Sequence, residues 1–172
     1  MSKWVRPVSE PAVITNTAAQ HLQRSELCGI DYISQTDTHM RAMAAGVIEY
    51  AHVRLGLDPY NYDTLGHFIV IRHEINGVPV WSRMCHAESL QQTRGEVVPG
   101  WPVGIYGNTG LSQGPHVHVD FWARISDIVK LPEGITKCTR YVPPWPMCRE
   151  SLLNIDMTNF LVKEFQNGFS QT

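Results

Sequence analysis

Short runs rich in β-branched and aromatic residues recur along the first two thirds of the chain, separated by glycine, proline and polar residues. This pattern is typical of β-strands joined by tight turns. The runs are GIDYI at 29–33, AAGVIEYAHV at 44–53, GHFIVIRHE at 66–74, PVWSRMCHA at 79–87, GWPVGIYG at 100–107 and HVHVDFW at 116–122. The pattern predicts a mostly β fold with an antiparallel sheet as its core.

The last third of the chain has a different pattern. A proline-rich stretch, LPEGITKCTRYVPPWPM, interrupts regular pairing after residue 130. Beyond it, apolar residues at 152, 153, 157, 160, 161 and 165 have the spacing of an amphipathic helix. We therefore expect three parts: an irregular segment at 1–28, a β domain at 29–130, and a linker with a C-terminal helix at 131–172. The helix is expected within 147–166, packed on the domain or on a partner.

Composition narrows the choice of partner and compartment. The chain has 172 residues, of which 43% are hydrophobic, enough to bury one core. Its formal net charge is −2 and no Lys/Arg cluster occurs, so no nucleic-acid partner is predicted. No apolar run is long enough to span a membrane, and the start MSKWVRPVSEP lacks the apolar stretch of a signal peptide. We therefore expect a protein made in the cytoplasm.

The four cysteines form no CxxC motif and no regular ladder of spacings. This usage is typical of a protein made in a reducing cytosol. Cys138 and Cys148 are close enough in sequence to pair if the protein is later released.

Two histidines in the last predicted strand are the first candidates for chemistry. His116 and His118 alternate along HVHV and so point to the same face. They can hold a metal, move protons, or lie on a surface. The glycine-rich stretch GIYGNTGLSQG precedes them and is followed by a strand rather than by a helix and a lysine, which argues against a phosphate-binding loop.

The context of these histidines resembles a known family. VVPGWPVGIYGNTGLSQGPHVHVDFW is similar to the signature of lysostaphin-type zinc endopeptidases, roughly V..G..IG..GNTG.S.GPHLHFE. Three earlier segments match in order: GHFIVIRHEINGVPVWSRMCHAES, MRAMAAGVIEYA, and CGIDY, which matches the G.D half of the family motif H.G.D. The resemblance covers about residues 27–122 and implies an antiparallel β-sheet with an active-site groove across one face.

The resemblance also implies roles for four residues. Asp31 and His118 match zinc ligands of the family, while His86 and His116 match the two histidines that assist catalysis. A catalytic zinc needs three protein ligands and an open position for water. We therefore expect Asp31, His118, His86 and His116 to converge on one pocket, with zinc as the cofactor.

One ligand position departs from the family. Leu27 stands where the family has its first histidine, four residues before the aspartate, and leucine cannot bind zinc. Three residues can replace that ligand: Cys28, His21 and His39. Without a replacement, zinc is expected to be weakly held or absent, and Leu27 is expected to form an apolar wall of the pocket.

Two functions follow from these expectations. The first is a peptidoglycan endopeptidase of lysostaphin type with impaired activity, acting on bacterial cell-wall peptides. The second is a catalytically inactive binding or structural module with the same fold. A compact member without a signal peptide is typical of a bacteriophage lysin or virion-tail component, for which we expect release to the cell wall or contact with phage structural proteins through the C-terminal helix.

Overall fold

The computed structural model describes residues 3–23, 28–53, 62–138, 145, 148 and 151–169. Eleven strands and two α-helices lie in these ranges: β1 (Ala12–Asn16), α1 (Ala18–Gln23), β2 (Gly29–Ser34), β3 (His39–Arg41), β4 (Gly46–His52), β5 (His67–Ile75), β6 (Val78–Leu90), β7 (Gly95–Val97), β8 (Pro102–Tyr106), β9 (Val117–Arg124), β10 (Thr136–Lys137), β11 (Leu152–Asp156) and α2 (Thr158–Phe169). Short 3₁₀ helices occupy Tyr62–Leu65 and Ile125–Lys130. Every strand pair is antiparallel, which confirms the predicted fold class.

The main path of the sheet runs β1-β2-β9-β6-β5-β4-β7. Strand β9 is central to the site because it has neighbours along both edges. On one edge it pairs with β6. On the other edge β2 pairs with residues 117–120 of β9, and β11 pairs with residues 121–124. The strand that carries the HVHV motif is therefore held in register from both sides.

Alternation along the central strands places apolar side chains on both faces of the sheet. In β5, Ile69 and Ile71 belong to the main core, whereas Phe68 and Val70 belong to a second cluster on the opposite face. In β9, Val119 faces the main core and Trp122 faces the second cluster. Because both faces of β5 are covered, its run FIVI is continuously apolar, and all six predicted runs form strands.

The N-terminal segment predicted to be irregular contains regular structure. Strand β1 pairs with β2 in register from Ala12 opposite Ser34 to Asn16 opposite Asp31, and α1 follows it directly. Three of the five β1 residues are exposed, so the strand has little hydrophobic signal in the sequence. Nearer the terminus, Trp4 is buried in the main core.

The C-terminal helix exists but begins later than predicted. Residues Leu152–Asp156, expected in the helix, form β11 and pair with β9. In α2, the apolar residues Phe160, Leu161 and Phe165 are buried in the main core. The helix therefore packs on its own domain, and contact with a phage protein through it stays a prediction. Among the described residues, no helix is long and apolar enough to cross a membrane.

The structure pairs Cys138 with a different cysteine from Cys148, the partner that proximity in the sequence left open. Cys138 forms a disulfide with Cys28 across a sequence separation of 110 residues, and Cys148 takes no part in that bond. The reason is the placement of β11 beside β2 along one edge of β9. Asn154 of β11 accepts a hydrogen bond from the backbone N–H of Cys28 at 2.8 Å, and its carbonyl oxygen accepts one from the N–H of Cys138 at 3.0 Å. These bonds bring the two cysteines together.

Candidate metal centre

The pairing of β2 with β9 brings together the two predicted metal ligands. Asp31 lies directly opposite His118 in the antiparallel register. Their side chains point to the same face, and Nδ1 of His118 lies 2.8 Å from Oδ1 of Asp31. Both residues are buried, with 4% and 8% of their surface exposed. A single strand pair therefore brings together two residues that are 87 positions apart in the sequence.

The close packing of His118 against β2 requires a glycine at position 29, two residues before Asp31. Gly29 lies on the same face of β2 as Asp31, since residues i and i+2 share a face. A Cβ atom at position 29 would meet Cε1 of His118 at 2.2 Å and Nε2 at 2.4 Å. The imidazole of His118 therefore occupies the space that any other residue's side chain would fill.

We expect Gly29→Ala to weaken metal binding at this site without unfolding the sheet. The added methyl group forces the ring of His118 away from Asp31, because β9 is fixed by pairing on both edges. A zinc affinity at least about tenfold lower should be measured by competition with a chromogenic chelator. Gly114→Ala is the control, because its methyl group would have no atom within 4 Å. Gly77→Ala is unsuitable, because the φ of +78° at that position strains alanine. Unchanged zinc affinity in Gly29→Ala would contradict this prediction.

His21 of α1 supplies a third donor atom. Its Nε2 lies 3.2 Å from Oδ2 of Asp31, and its ring meets the ring of His118 edge-on at a centroid distance of 4.8 Å. One donor atom from each of His21, Asp31 and His118 can be chosen so that all three lie within 4.8 Å of one another. Asn16, at the end of β1, donates a 2.8 Å hydrogen bond to the same Oδ2.

The sequence carries a local signal for the start of α1. The backbone N–H of Gln20 donates to Oγ1 of Thr17 at 3.4 Å, and Oε1 of Gln20 accepts from the backbone N–H of Thr17 at 2.7 Å. These reciprocal bonds are the capping box, which the sequence TAAQ at 17–20 carries at the start of a helix. The helix turns His21 inward, where 5% of its surface is exposed.

The three alternatives for the missing ligand lie in different places in the structure. His21 joins the cluster, as described above. Cys28 is bonded to Cys138 and offers no free thiolate. His39 lies in β3 with its Nδ1 3.5 Å from Asp37, apart from the cluster. Leu27, expected to line the pocket, lies outside the described residues.

The carboxylates in and beside the cluster favour a bound cation. Burial alone would raise the pKa of Asp31, but hydrogen bonds from His118 and His21 hold it far below the usual range. Burial opposes the charged form of His118, yet contacts with the carboxylates of Asp120 and Asp31 raise its pKa to about 9. A positive charge is therefore favoured between the two carboxylates.

The predicted assisting histidines lie beside these three residues. Nδ1 of His86 donates to the carbonyl oxygen of Thr109 at 2.8 Å, which leaves Nε2 as the unprotonated nitrogen of the neutral ring. Burial lowers the pKa of His86 to about 4, so the ring is neutral at pH 7. Its φ of +65° is unusual for a residue with a side chain and occurs next to a register shift in β6.

His116 completes the group on the other side of the cluster. Its ring centroid is 4.8 Å from that of His86, and its Nε2 lies 3.6 Å from Oδ1 of Asp31. Nδ1 of His116 donates to the carbonyl oxygen of Gly114 at 2.8 Å, which fixes the ring. The four residues that the sequence placed in one pocket therefore do converge, and His21 joins them.

These residues line a groove of about 500 Å³. Its walls come from α1 and β1 on one side and from the glycine-rich loop and the 3₁₀ helix at Tyr62–Leu65 on the other. The lining residues are Asn16, His21, Asp31, Thr64, Leu65, His86, Leu111, Ser112, Gln113, His116, His118 and Asp120. The glycine-rich loop packs closely against the backbone at Gly66, since a Cβ atom on Gly110 would lie 2.3 Å from the backbone nitrogen of that residue.

The donor set fits zinc. Two imidazoles and one carboxylate, drawn here from three different elements, are a donor set found in open catalytic zinc sites, which keep one position for water. All three are buried and one carboxylate carries the negative charge. Neutral imidazole nitrogens and a carboxylate suit zinc better than calcium or magnesium, which prefer oxygen ligands.

Comparison with known families and proteins finds similarity over more than half of the chain. A family model described as Peptidase family M23 matches residues 25–129. The DD-carboxypeptidase/endopeptidase Mpg of Neisseria meningitidis serogroup B (strain ATCC 13091 / M2091) is 37% identical over 98 residues, which cover 57% of this chain and 20% of that protein. The chain thus spans about a fifth of the length of the curated relatives it matches. Asn16 and His21 precede the range that the family model matches.

Two solved structures share the fold. A mutant catalytic domain of the prophage-encoded M23 protein EnpA from Enterococcus faecalis aligns with a TM-score of 0.52 and 23% identity, covering 69% of this chain and 85% of that chain. A zinc-containing peptidase from Vibrio cholerae aligns with a TM-score of 0.50 and 20% identity, covering 70% and 36%. At these identities the likeness concerns the fold of the sheet and not the details of the site.

Proposed function

Because this chain belongs to peptidase family M23, we propose that it is a zinc metalloendopeptidase that cleaves peptides of bacterial peptidoglycan. The observation that carries the proposal is the convergence of His21, Asp31 and His118 beside His86 and His116 on the floor of one groove. The name of the Neisseria relative, a DD-carboxypeptidase/endopeptidase, supports peptide hydrolysis. Peptidoglycan as the substrate rests on the sequence resemblance to lysostaphin-type enzymes.

We propose further that the metal site is complete. The expectation of weak zinc binding counted two ligands, and His21 adds a third from outside the family motif. When bound, zinc supplies a Lewis acid that lowers the pKa of water and polarises a peptide carbonyl. The alternative of an inactive module therefore loses its main argument, which was the ligand count.

The chain's own histidines handle protons. Nε2 of His86 carries a lone pair, because Nδ1 is committed to the carbonyl oxygen of Thr109, so it can accept a proton from an attacking water. Nε2 of His116 faces the same space and can donate to a developing oxyanion when the ring is protonated. Asn16 keeps Oδ2 of Asp31 oriented toward His21.

The groove also limits where the substrate can lie. An extended peptide must pass between α1 and the loop that carries Leu111, whose side chain is 80% exposed at the rim. Incorporation into a phage virion or release to the cell wall stays a prediction from the sequence.

We expect His86→Gln to abolish most hydrolysis while zinc stays bound. Glutamine keeps a polar group near Thr109 but cannot take up a proton, so the rate should fall by about 10²- to 10⁴-fold. Purified peptidoglycan is incubated with zinc-loaded protein, and the released peptides with their new termini are identified by mass spectrometry. His67→Gln, at a half-buried histidine on the neighbouring strand, is the matched control and should retain activity.

The outcomes separate the two functions. Hydrolysis by the wild type that stops with a chelator and returns with zinc supports the endopeptidase. Wild-type protein that binds peptidoglycan but releases no peptide, with or without zinc, would support the inactive module.

A further inference from the structure

A buried ion pair lies directly behind His118. Asp120 is 0% exposed and Arg83 is 1% exposed, and they face each other across the β6–β9 pair. Nε of Arg83 donates to Oδ1 of Asp120 at 3.1 Å, and one terminal nitrogen donates to Oδ2 at 2.5 Å. This two-point geometry fixes the plane of the carboxylate.

A third donor completes the orientation of Asp120. The indole Nε1–H of Trp122 donates to Oδ1 at 2.7 Å. Oδ1 accepts from Arg83 and Trp122, and Oδ2, which accepts from the other Arg83 nitrogen, lies 3.6 Å from Nε2 of His118. Residues 118, 120 and 122 share one face of β9 by alternation. The carboxylate is therefore held against one particular nitrogen of the imidazole.

The two nitrogens of His118 have different surroundings. Nδ1 lies 2.8 Å from Asp31 on the side of the groove, and Nε2 faces Asp120 on the side of the ion pair. A histidine ligand commonly presents its second ring nitrogen to a carboxylate, which fixes the tautomer and the ring orientation. Burying a charged pair costs desolvation free energy that apolar residues of the same volume do not incur.

We propose that Asp120, held by Arg83, is a positioning residue that makes Nδ1 of His118 the nitrogen that binds the metal. The carboxylate stabilises the N–H at Nε2, which lies 3.6 Å from Oδ2, and prevents the ring from turning that nitrogen toward Asp31. Arg83 acts one step further back, since it keeps Oδ2 of Asp120 in place. This inference rests on the proposed zinc site and adds the atom by which one ligand binds.

The first test measures zinc affinity by competition with a chromogenic chelator. Asp120→Asn removes the charge and one acceptor of the pair, and the dissociation constant for zinc should rise by about 10- to 100-fold. Ser82→Ala is the matched control. Ser82 precedes Arg83 on β6, and its replacement removes a buried hydrogen bond of 2.8 Å to His73 of β5 rather than a bond to Asp120. Its zinc affinity should equal that of the wild type.

The second test needs no variant and holds if Asp120→Asn fails to fold. In ¹⁵N-labelled wild-type protein loaded with zinc, long-range ¹H–¹⁵N NMR spectra should show Nε2 of His118 protonated and Nδ1 bound to the metal. Coordination through Nε2, or unchanged zinc affinity in folded Asp120→Asn, would overturn the inference. Wild-type protein that binds no zinc at all would instead refute the proposed function.

Discussion

His21→Ala is expected to lower zinc affinity by roughly a hundredfold or more and to remove hydrolytic activity with it. The imidazole is one of three donor groups, and its Nε2 lies 3.2 Å from Asp31 in the buried cluster. Without it, one carboxylate and one imidazole remain, too few for a catalytic zinc site. The affinity is measured by chelator competition, and the metal content of the purified protein by elemental analysis.

The controls for this prediction use the other residues that the sequence offered. His39→Ala removes a histidine whose Nδ1 is 3.5 Å from Asp37, apart from the cluster, and should leave zinc binding unchanged. Leu27→His restores the family ligand at its usual position, so combining it with His21→Ala is expected to recover zinc binding. A His21→Ala protein that retains stoichiometric zinc would show that another group completes the site.

Much of the fold could be predicted from the sequence because the central strands carry strong local signals. Runs such as FIVI in β5 are apolar on both faces, and each is bounded by residues that break strands. The convergence of Asp31, His86, His116 and His118 was also predicted, since the motif order of the family fixes which strands are neighbours. Alternation then determines which side chains share the groove.

The third ligand could be named but not selected from the sequence. His21 lies ten residues before Asp31 on a helix of six residues, too short to give an amphipathic pattern. Its approach to Asp31 depends on the path of the exposed strand β1, a tertiary property. The capping box at Thr17 and Gln20 was the one local signal for this helix.

The C-terminal segment shows the opposite error. Leu152 and Leu153 fit the helical spacing together with the later apolar residues, but β11 forms there because the second half of β9 offers an unpaired edge. Pairing satisfies the backbone of both strands, and this outweighs a weak helical preference. The partner of Cys138 could not be identified from the sequence for the same reason, since the position of β11 determines which thiols meet.

Replacing both Cys28 and Cys138 with serine is expected to destabilise the protein by about 2–5 kcal/mol and to weaken zinc binding about tenfold. The disulfide closes a loop with a sequence separation of 110 residues, so it removes much conformational freedom from the unfolded chain. Stability is measured by urea unfolding of the metal-free protein, and zinc affinity by chelator competition. Cys148→Ser, at a cysteine outside the disulfide, is the matched control and should change neither quantity.

The effect on zinc follows from what the disulfide contacts. Ala18 of α1 packs in a small buried cluster with Cys28 and Cys138, three residues before His21 on the same helix. A six-residue helix is unstable by itself in water, so its position depends on this packing and on β1. Disulfides form under oxidising conditions. Wild-type protein reduced with a phosphine should therefore bind zinc more weakly than oxidised protein. A phosphine is used because, unlike a thiol reductant, it does not compete strongly for zinc. Equal affinities would show that β1 alone holds His21 in place.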